Sequence, residues 1–368
     1  MSKTQYSQGK EIKIMKNFKQ NIINDILKEN NLDAILLYSS ENRFWFSNFA
    51  SSEGYLLITK TKSFLFVDGR YISAALKNAQ NISEIIRFGD VFKLINQKIK
   101  DLNINNLGFE SEFIVYRQFL WFKQNLTTNL KAIDLSKIKT IKTQAEIEIM
   151  KKGCEITAKS FNDLLSLIKV GMSEKEVDWL IYKTLLKNGA NSYSFFPVVV
   201  SGIRGALPHG DSSEKLIAEN DFLTIDFGCT YKGYCTDMTR SIAFNNPDPK
   251  LIEIYEIVKQ AQLKGIQAIK PGVTTKQIDS ICRKYIEQKG YGKYFIHSTG
   301  HGLGIQIHEF PRLSQYCDVK LQENMIVTVE PGIYIPNLGG IRIEDDILVT
   351  KTGYQILTNA TRDLIIIK

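Results

Sequence analysis

A ten-residue pattern in the middle of the chain recurs 101 positions later. Lys169-Val170-Gly171-Met172-Ser173-Glu174-Lys175-Glu176-Val177-Asp178 returns as Lys270-Pro271-Gly272-Val273-Thr274-Thr275-Lys276-Gln277-Ile278-Asp279, and Gly189 meets Gly290 at the same offset. In each copy a glycine breaks the preceding helix, a hydroxyl residue caps the next with Glu or Gln three places on, and a glycine ends it. Capped helices share this grammar by chance, but one offset kept over twenty-one positions favours an internal repeat. The later part of the chain is then expected to form two helix-helix-strand halves that share one sheet, with a cleft between them. Thr143 and Glu146 form the capping box of a long first helix running to about Leu167; Ser173 and Glu176 open the second, which ends at Gly189.

The chemistry-bearing residues fall in this region. They occur in Thr224-Ile225-Asp226-Phe227-Gly228, Thr236-Asp237-Met238-Thr239-Arg240, His297-Ser298-Thr299-Gly300-His301-Gly302-Leu303-Gly304, His308-Glu309-Phe310-Pro311, Val329-Glu330-Pro331-Gly332 and Ile341-Arg342-Ile343-Glu344-Asp345. Leu223, Ile225 and Phe227 alternate with Thr224, Asp226 and Gly228, and polar and apolar residues alternate again through Ile242 and Phe244, so both aspartates are expected to interrupt half-buried strands. A buried carboxylate is costly unless it is paired or coordinates a metal. The chain has four histidines, His209, His297, His301 and His308, and all lie among these acids. A lone histidine on an apolar face is ordinarily a satisfied core residue; four together beside these carboxylates point to a site.

A length of 368 residues suits two domains. Residues 1–14 are polar and lysine-rich and are expected to be a flexible extension. Residues 15–135 form an α/β domain: a helix from Phe18 to Leu27 closed by Asn30-Asn31, strands at 34–38, 55–59, 63–67, 85–88 and 107–110, and helices near 71–77 and 91–102. That domain holds no histidine. The aromatic run Phe44-Trp45-Phe46 with Phe49 fits core packing there. The joint Ser136-Lys137-Ile138-Lys139-Thr140-Ile141-Lys142 leads into the second domain, 136–368.

The net charge of +8 is dispersed; Lys10, Lys13, Lys16 and Lys19 are the nearest approach to a cluster, and the surplus fits a solvated surface. No basic stretch interleaves with aromatics, which argues against a nucleic-acid groove. No apolar run is long enough for a membrane span and no apolar signal segment opens the chain, so a cytoplasmic protein is expected. Its five cysteines lack C-x-x-C spacing and are expected to be reduced packing residues, Cys229 and Cys235 included.

Asp226 and Asp237 from the first half, with His301, Glu330 and Glu344 from the second, exceed what one structural zinc takes. Four carboxylates and one imidazole suit two divalent ions, with Mn2+ favoured by oxygen ligation and Zn2+, Co2+ or Fe2+ possible. Such a pair makes hydroxide available near neutral pH and polarises a carbonyl, so the reaction class is hydrolysis. Glycines around His301 allow close backbone approach. The seven-residue spacing to His308, with Pro311 beyond, describes a loop-to-strand passage rather than an H-E-x-x-H helix.

With these motifs, nearly the whole chain resembles the pita-bread metallopeptidases, in the branch of Xaa-Pro aminopeptidases and Xaa-Pro dipeptidases (prolidases). The resemblance implies an α+β fold: a pseudo-twofold pita-bread catalytic domain behind a smaller creatinase-type N-terminal α/β domain. It implies that Asp237 and Glu344 bridge two metals, that Asp226 holds one, and that His301 with Glu330 holds the other. Further implied roles are Glu330 as general base on the bridging water, His209, His297 and His308 as proton-handling groups near the scissile bond, and Arg342 as their support. The expected substrates are peptides with proline second, and the expected assembly is a homodimer. Methionine aminopeptidases share the ligands but lack the N-terminal domain; creatinases share both domains but not the metal set; a non-enzymatic peptidase-like binding module would have lost ligands. The expectation is an Xaa-Pro aminopeptidase, with an Xaa-Pro dipeptidase as the alternative.

Overall fold

Both copies of the repeated pattern build the same local structure. Ser173 accepts from Glu176 N while the Glu176 side chain accepts from Ser173 N, opening the helix Glu174–Lys187; Thr274 and Gln277 do the same for Thr275–Gln288. The glycines before and after each helix have left-handed backbones, with φ of 87° and 100° at Gly171 and Gly189 and 88° and 87° at Gly272 and Gly290. The correspondence extends to partners far along the chain: Gly171 N donates to Ile217 O and Gly272 N to Leu321 O, each at 2.9 Å. A duplicated unit accounts for such agreement more simply than chance capping does.

The structure, a computed structural model, describes residues 18–368; residues 1–14, with Lys10 and Lys13, and also Lys16 lie outside them. Contacts divide the chain into one unit up to Ile138 and another from Lys139 to Lys368. In the first unit a helix over 18–30 precedes a six-stranded sheet in the order Glu84–Arg87, Ser63–Val67, Tyr55–Thr59, Ala34–Leu37, Asn106–Glu110 and Asn129–Ile133. The sheet is mixed, since Ala34–Leu37 runs antiparallel to Tyr55–Thr59 and parallel to Asn106–Glu110. Trp45, Phe46 and Phe49 are buried, as core packing requires, on or just after a helix Ser40–Ser47. Lys19 departs from the surface reading of the basic residues: it is buried, its ammonium donating to the Trp45 carbonyl.

In the second unit the long helix Gln144–Leu165 starts at the Thr143/Glu146 capping box. With Glu174–Lys187 it packs Phe161, Leu164, Val177 and Ile181 against Val199, Leu223, Ile225 and Ile242. The corresponding helices Pro249–Gln267 and Thr275–Gln288 pack Ile254, Val258, Ile278 and Cys282 against Val327, Val329, Ile341 and Ile347. The cysteines are free, and all but Cys317 are buried. Among the described residues no helix is long and apolar enough to cross a membrane.

Two expectations are corrected. The halves do not share one sheet: Ile366–Ile367, Thr239–Phe244, Phe222–Asp226 and Val198–Ser201 form one, while Glu309–Leu313, Gly300–Gly302, Ile326–Val329, Asp345–Val349 and Tyr354–Ile356 form another. Where the halves meet, Asp226 ends one strand and Glu330 follows another, and backbone-to-backbone bonds such as Glu344 N to Thr239 O (3.1 Å) cross singly rather than as a ladder, side chains making the other links. Nor are the acid-bearing strands half-buried. Thr239–Phe244 is buried at every position, and Phe222–Asp226 at all but Asp226. Their polar face meets not water but the hairpin Gly332–Ile335/Gly339–Arg342, through Thr224 Oγ1 to Gly340 O (3.4 Å) and Ser241 Oγ to Arg342 O (3.1 Å). Asp237 lies in the link just before its strand rather than within it.

Gly300 is where the second sheet closes beside His301. A Cβ there would stand 2.1 Å from Thr328 O, so Gly300→Ala must push Gly300–Gly302 away from Ile326–Val329. We expect a lower Tm for this variant, together with weaker binding of Mn2+ by calorimetry; an unchanged Tm and affinity would show that the strand gives way without cost.

Candidate active site

All nine residues singled out in the sequence, His209, Asp226, Asp237, His297, His301, His308, Glu330, Arg342 and Glu344, line one cavity of about 450 Å³. Asp226 ends the strand Phe222–Asp226, directly across from Thr239. His301 lies on Gly300–Gly302, Glu330 follows Ile326–Val329, and Glu344 separates the hairpin from Asp345–Val349. Asp237, His301 and Glu344 each offer a ligand atom within 4.8 Å of the others.

Hydrogen bonds aim these atoms inward. His301 Nδ1 lies 3.0 Å from Gly302 O, a carbonyl that can only accept, so Nδ1 carries the proton and Nε2 presents a lone pair. That lone pair faces Glu330 Oε1 at 3.3 Å and Asp237 Oδ2 at 3.6 Å. Burial lowers the His301 pKa, so protonation is not the remedy for this meeting of acceptors. Asp237 is fixed through its backbone, whose N–H donates to Asp346 Oδ2 at 3.0 Å. Glu344 Oε2 accepts from Thr239 Oγ1 at 2.6 Å, and Glu330 Oε1 from Thr328 Oγ1 at 3.1 Å. Among the cavity-lining carboxylates, three buried oxygens, Asp226 Oδ1, Asp237 Oδ1 and Glu344 Oε1, have no hydrogen-bond partner.

Among the described residues, one buried cation contacts the carboxylates of this cluster. Arg342 contacts Asp226 Oδ2 at 2.6 Å, Tyr334 Oη at 2.7 Å and Thr239 Oγ1 at 3.1 Å. Burial opposes its charge, but Tyr334, Asp226 and Glu330 hold its pKa well up. Four carboxylates against one guanidinium leave excess negative charge. Burial and their mutual repulsion push Asp237 and Glu344 well above the usual carboxylate range, and burial raises Glu330 to about 7. Bare oxygens, an imidazole lone pair and surplus negative charge at one place fit hard or borderline divalent cations.

The remaining histidines stand around the cluster. His308 and His301 have ring centroids 4.4 Å apart, and burial lowers the His308 pKa to about 4. His297 Nε2 meets Tyr334 Oη at 2.9 Å and Nδ1 meets Ser298 O at 2.7 Å, and burial lowers its pKa to about 3. Both are neutral at physiological pH. His209 is exposed at the cavity. Tyr334, Thr239, Thr328 and Asp346 were not visible as site residues in the sequence; the pairing of Gly332–Ile335 with the Arg342-bearing strand is the signal that could have found Tyr334. Just outside the cavity Lys142 Nζ and Glu309 Oε2 form a buried ion pair at 2.9 Å, next in sequence to His308.

Comparison with known proteins adds to this geometry. Residues 148–351 match the model of metallopeptidase family M24, and residues 21–142 that of the creatinase/prolidase N-terminal domain. An Xaa-Pro dipeptidase of Pyrococcus horikoshii is 40% identical over 345 residues, 93% of this chain and 97% of that protein. The solved Xaa-Pro dipeptidase from Bacillus anthracis matches with a TM-score of 0.92 at 43% identity, covering 95% of this chain and 99% of the other. The X-Pro aminopeptidase from Thermotoga maritima matches with a TM-score of 0.87 at 35% identity, covering 92% and 98%.

The raised carboxylate pKa values set the pH response of metal-stripped protein. In the unfolded chain these groups ionise near pH 4; in the fold Glu330 does so only toward about 7, and burial raises Asp237 and Glu344 as well. Their ionisation therefore opposes folding, with no penalty at low pH and a growing one as pH rises through neutrality. The Tm of stripped protein should fall between pH 5 and 8 by roughly the few degrees that 1–2 kcal/mol produces. Mn2+ should restore it, and Asp237→Asn should raise the stripped Tm at pH 8 while abolishing the Mn2+ response. A flat Tm across this range would contradict the charge argument.

Proposed function

Since the chain belongs to metallopeptidase family M24 and carries a creatinase/prolidase N-terminal domain, we propose that it is an Xaa-Pro aminopeptidase, hydrolysing the bond between an N-terminal residue and a following proline. The observation that carries this is the convergence of bare carboxylate oxygens and the His301 lone pair in one cavity. Asp226, Asp237, His301, Glu330 and Glu344 would hold two divalent ions, with Mn2+ suited to so oxygen-rich a set. When bound, such ions make hydroxide available near neutrality and polarise the scissile carbonyl.

The chain's own groups carry the rest. Glu330, whose Oε1 lies at the cavity 3.3 Å from His301 Nε2, is suited by position to take a proton from the attacking water and pass it to the leaving proline nitrogen. His308, neutral in its surroundings, can donate an N–H toward the oxygen on which charge develops, and His209 is a second such group; the one N–H of neutral His297 goes to Ser298 O, and its Nε2 accepts from Tyr334 Oη. Arg342 orients Asp226 through its 2.6 Å contact.

The aminopeptidase reading draws support from the shape of the cleft. The main cavity shares His301, His308 and Arg312 with a second depression of about 420 Å³ that runs on to Ser314, Tyr316 and Cys317, leaving room for residues beyond the proline. One observation favours an Xaa-Pro dipeptidase instead: the exposed Arg312 guanidinium lines the cavity without an ion pair among the described residues, and it could bind the free carboxylate of a dipeptide.

Rates on Xaa-Pro-Yaa tripeptides and Xaa-Pro dipeptides with Mn2+ separate the two readings. An aminopeptidase cleaves the tripeptides; intact tripeptides beside cleaved dipeptides would overturn the proposal in favour of the dipeptidase. If Arg312 binds the dipeptide carboxylate, Arg312→Gln should raise KM about tenfold or more for dipeptides and much less for tripeptides. Glu330→Gln should lower kcat by about 100-fold or more on whichever substrate is used, and near-normal turnover would remove Glu330 from its role as base.

A further inference from the structure

Two buried carboxylates that do not line the cavity are held in matching ways, one in each half. Glu174, fully buried at the start of its helix, accepts from Ser201 N at 2.7 Å and Ser201 Oγ at 3.0 Å. It also accepts from Ser213 N at 3.1 Å and Ser213 Oγ at 2.6 Å, and from Arg204 Nε at 3.0 Å. Arg204 Nη2 then donates to the Asp211 carbonyl at 2.6 Å. Asp279, fully buried in the equivalent helix, accepts from Thr299 N at 3.2 Å, Thr299 Oγ1 at 3.0 Å and Arg283 Nε at 2.9 Å. Arg283 continues to the carbonyls of Phe295 at 2.9 Å and His297 at 2.8 Å.

The pattern is the same in both. A carboxylate on the second helix of the repeat takes both the backbone N–H and the hydroxyl of a Ser or Thr, two serines at Glu174 and one threonine at Asp279, and an arginine bridges from it to a carbonyl of the neighbouring segment. By the repeat register Asp279 aligns with Asp178, so the second half builds its clamp one helical turn further on than Glu174, on the same helix face. Each gripped segment carries a cavity histidine: His209 lies between Ser201 and Ser213, and His297 two residues before Thr299. Among the described residues the His209 ring makes no hydrogen bond of its own, so its place is set by its backbone, which Glu174 and Arg204 tie down on both sides and Arg342 Nη1 meets at Pro208 O, 3.2 Å away. His297 has Tyr334 and Ser298 as well.

We propose that Glu174 with Arg204, and Asp279 with Arg283, are positioning pairs that hold His209 and His297 in place for the reaction, the first being the more critical because the His209 ring makes no hydrogen bond of its own among the described residues. This rests on the reading of those histidines as proton-handling residues. The test compares Glu174→Gln, His209→Ala and the double variant in the full-length, Mn2+-loaded enzyme. The single Glu174→Gln change should lower kcat by about ten- to a hundredfold, with KM and metal content little changed, because a small displacement of a group that acts in the transition state is costly. Hydrogen exchange should quicken over residues 202–212. Added to His209→Ala, Glu174→Gln should cost little more, since interacting residues are not additive. Asp279→Asn should lower kcat less, and its effect should likewise vanish in His297→Ala.

Equal losses from Glu174→Gln with and without His209, or unchanged exchange over 202–212, would overturn the clamp and leave the reading of His209 intact. A His209→Ala enzyme as fast as wild type would overturn both. If Glu174→Gln does not fold, Arg204→Lys keeps the charge but loses the forked reach to Asp211 O, and the same comparison with His209→Ala decides the question.

Discussion

Carboxylates concentrated in one cavity, with Arg342 the buried guanidinium in contact with them, govern the architecture of the catalytic half. Water is largely excluded from Asp237 and Glu344, and a charge so placed is tolerable only beside an opposite charge or as its protonated form. The fold meets this by anchoring Asp226, Asp237 and Glu344 each through a hydrogen bond or ion pair while leaving one oxygen of each bare. Asp226 has Arg342, Glu344 has Thr239, and Asp237 is held through its backbone. Such an arrangement is strained until cations enter and well ordered once they do, which is what a preformed metal site requires.

Duplication explains how one chain brings these groups together. Neither half could enclose such a cavity, because each contributes a sheet whose acid-bearing ends face the other. The polar residues of Phe222–Asp226 and Thr239–Phe244 are consequently covered by a hairpin of the second half, and Arg342 on that hairpin reaches back to the first half's Asp226. The separation into two sheets is thus part of the chemistry: a continuous ladder at the seam would leave no gap for a substrate.

What could be read from the sequence divides along lines of distance. Capping boxes were legible because Ser173 and Glu176, or Thr274 and Gln277, recognise each other within one turn. The cavity residues were legible because histidines and acids are scarce and gather in a few short motifs. By contrast, the helix Ser40–Ser47 was hidden by its aromatic run. The helix Tyr116–Asn125 escaped because it buries only Phe122, and the edge strand Asn129–Ile133 because only Ile133 is buried. Sheet partition, the hairpin over the acid strands and the contacts of Tyr334 and Asp346 depend on pairings many residues apart, which periodicity does not report. Alternation in the acid strands was real; its polar side faced protein rather than solvent.

The buried pair between Lys142 and Glu309 bears on where this chain can be cut. Lys142 Nζ also donates to the carbonyl of Lys139, while Glu309 Oε1 accepts from Gln306 N, so a short stretch ahead of the first catalytic helix braces the turn leading to His308. A fragment begun at the helix itself would contain every residue of the cavity and yet leave Glu309 an unanswered charge in the interior. The smallest self-sufficient catalytic piece therefore starts upstream of Lys139, and its true boundary is electrostatic rather than the first turn of regular structure.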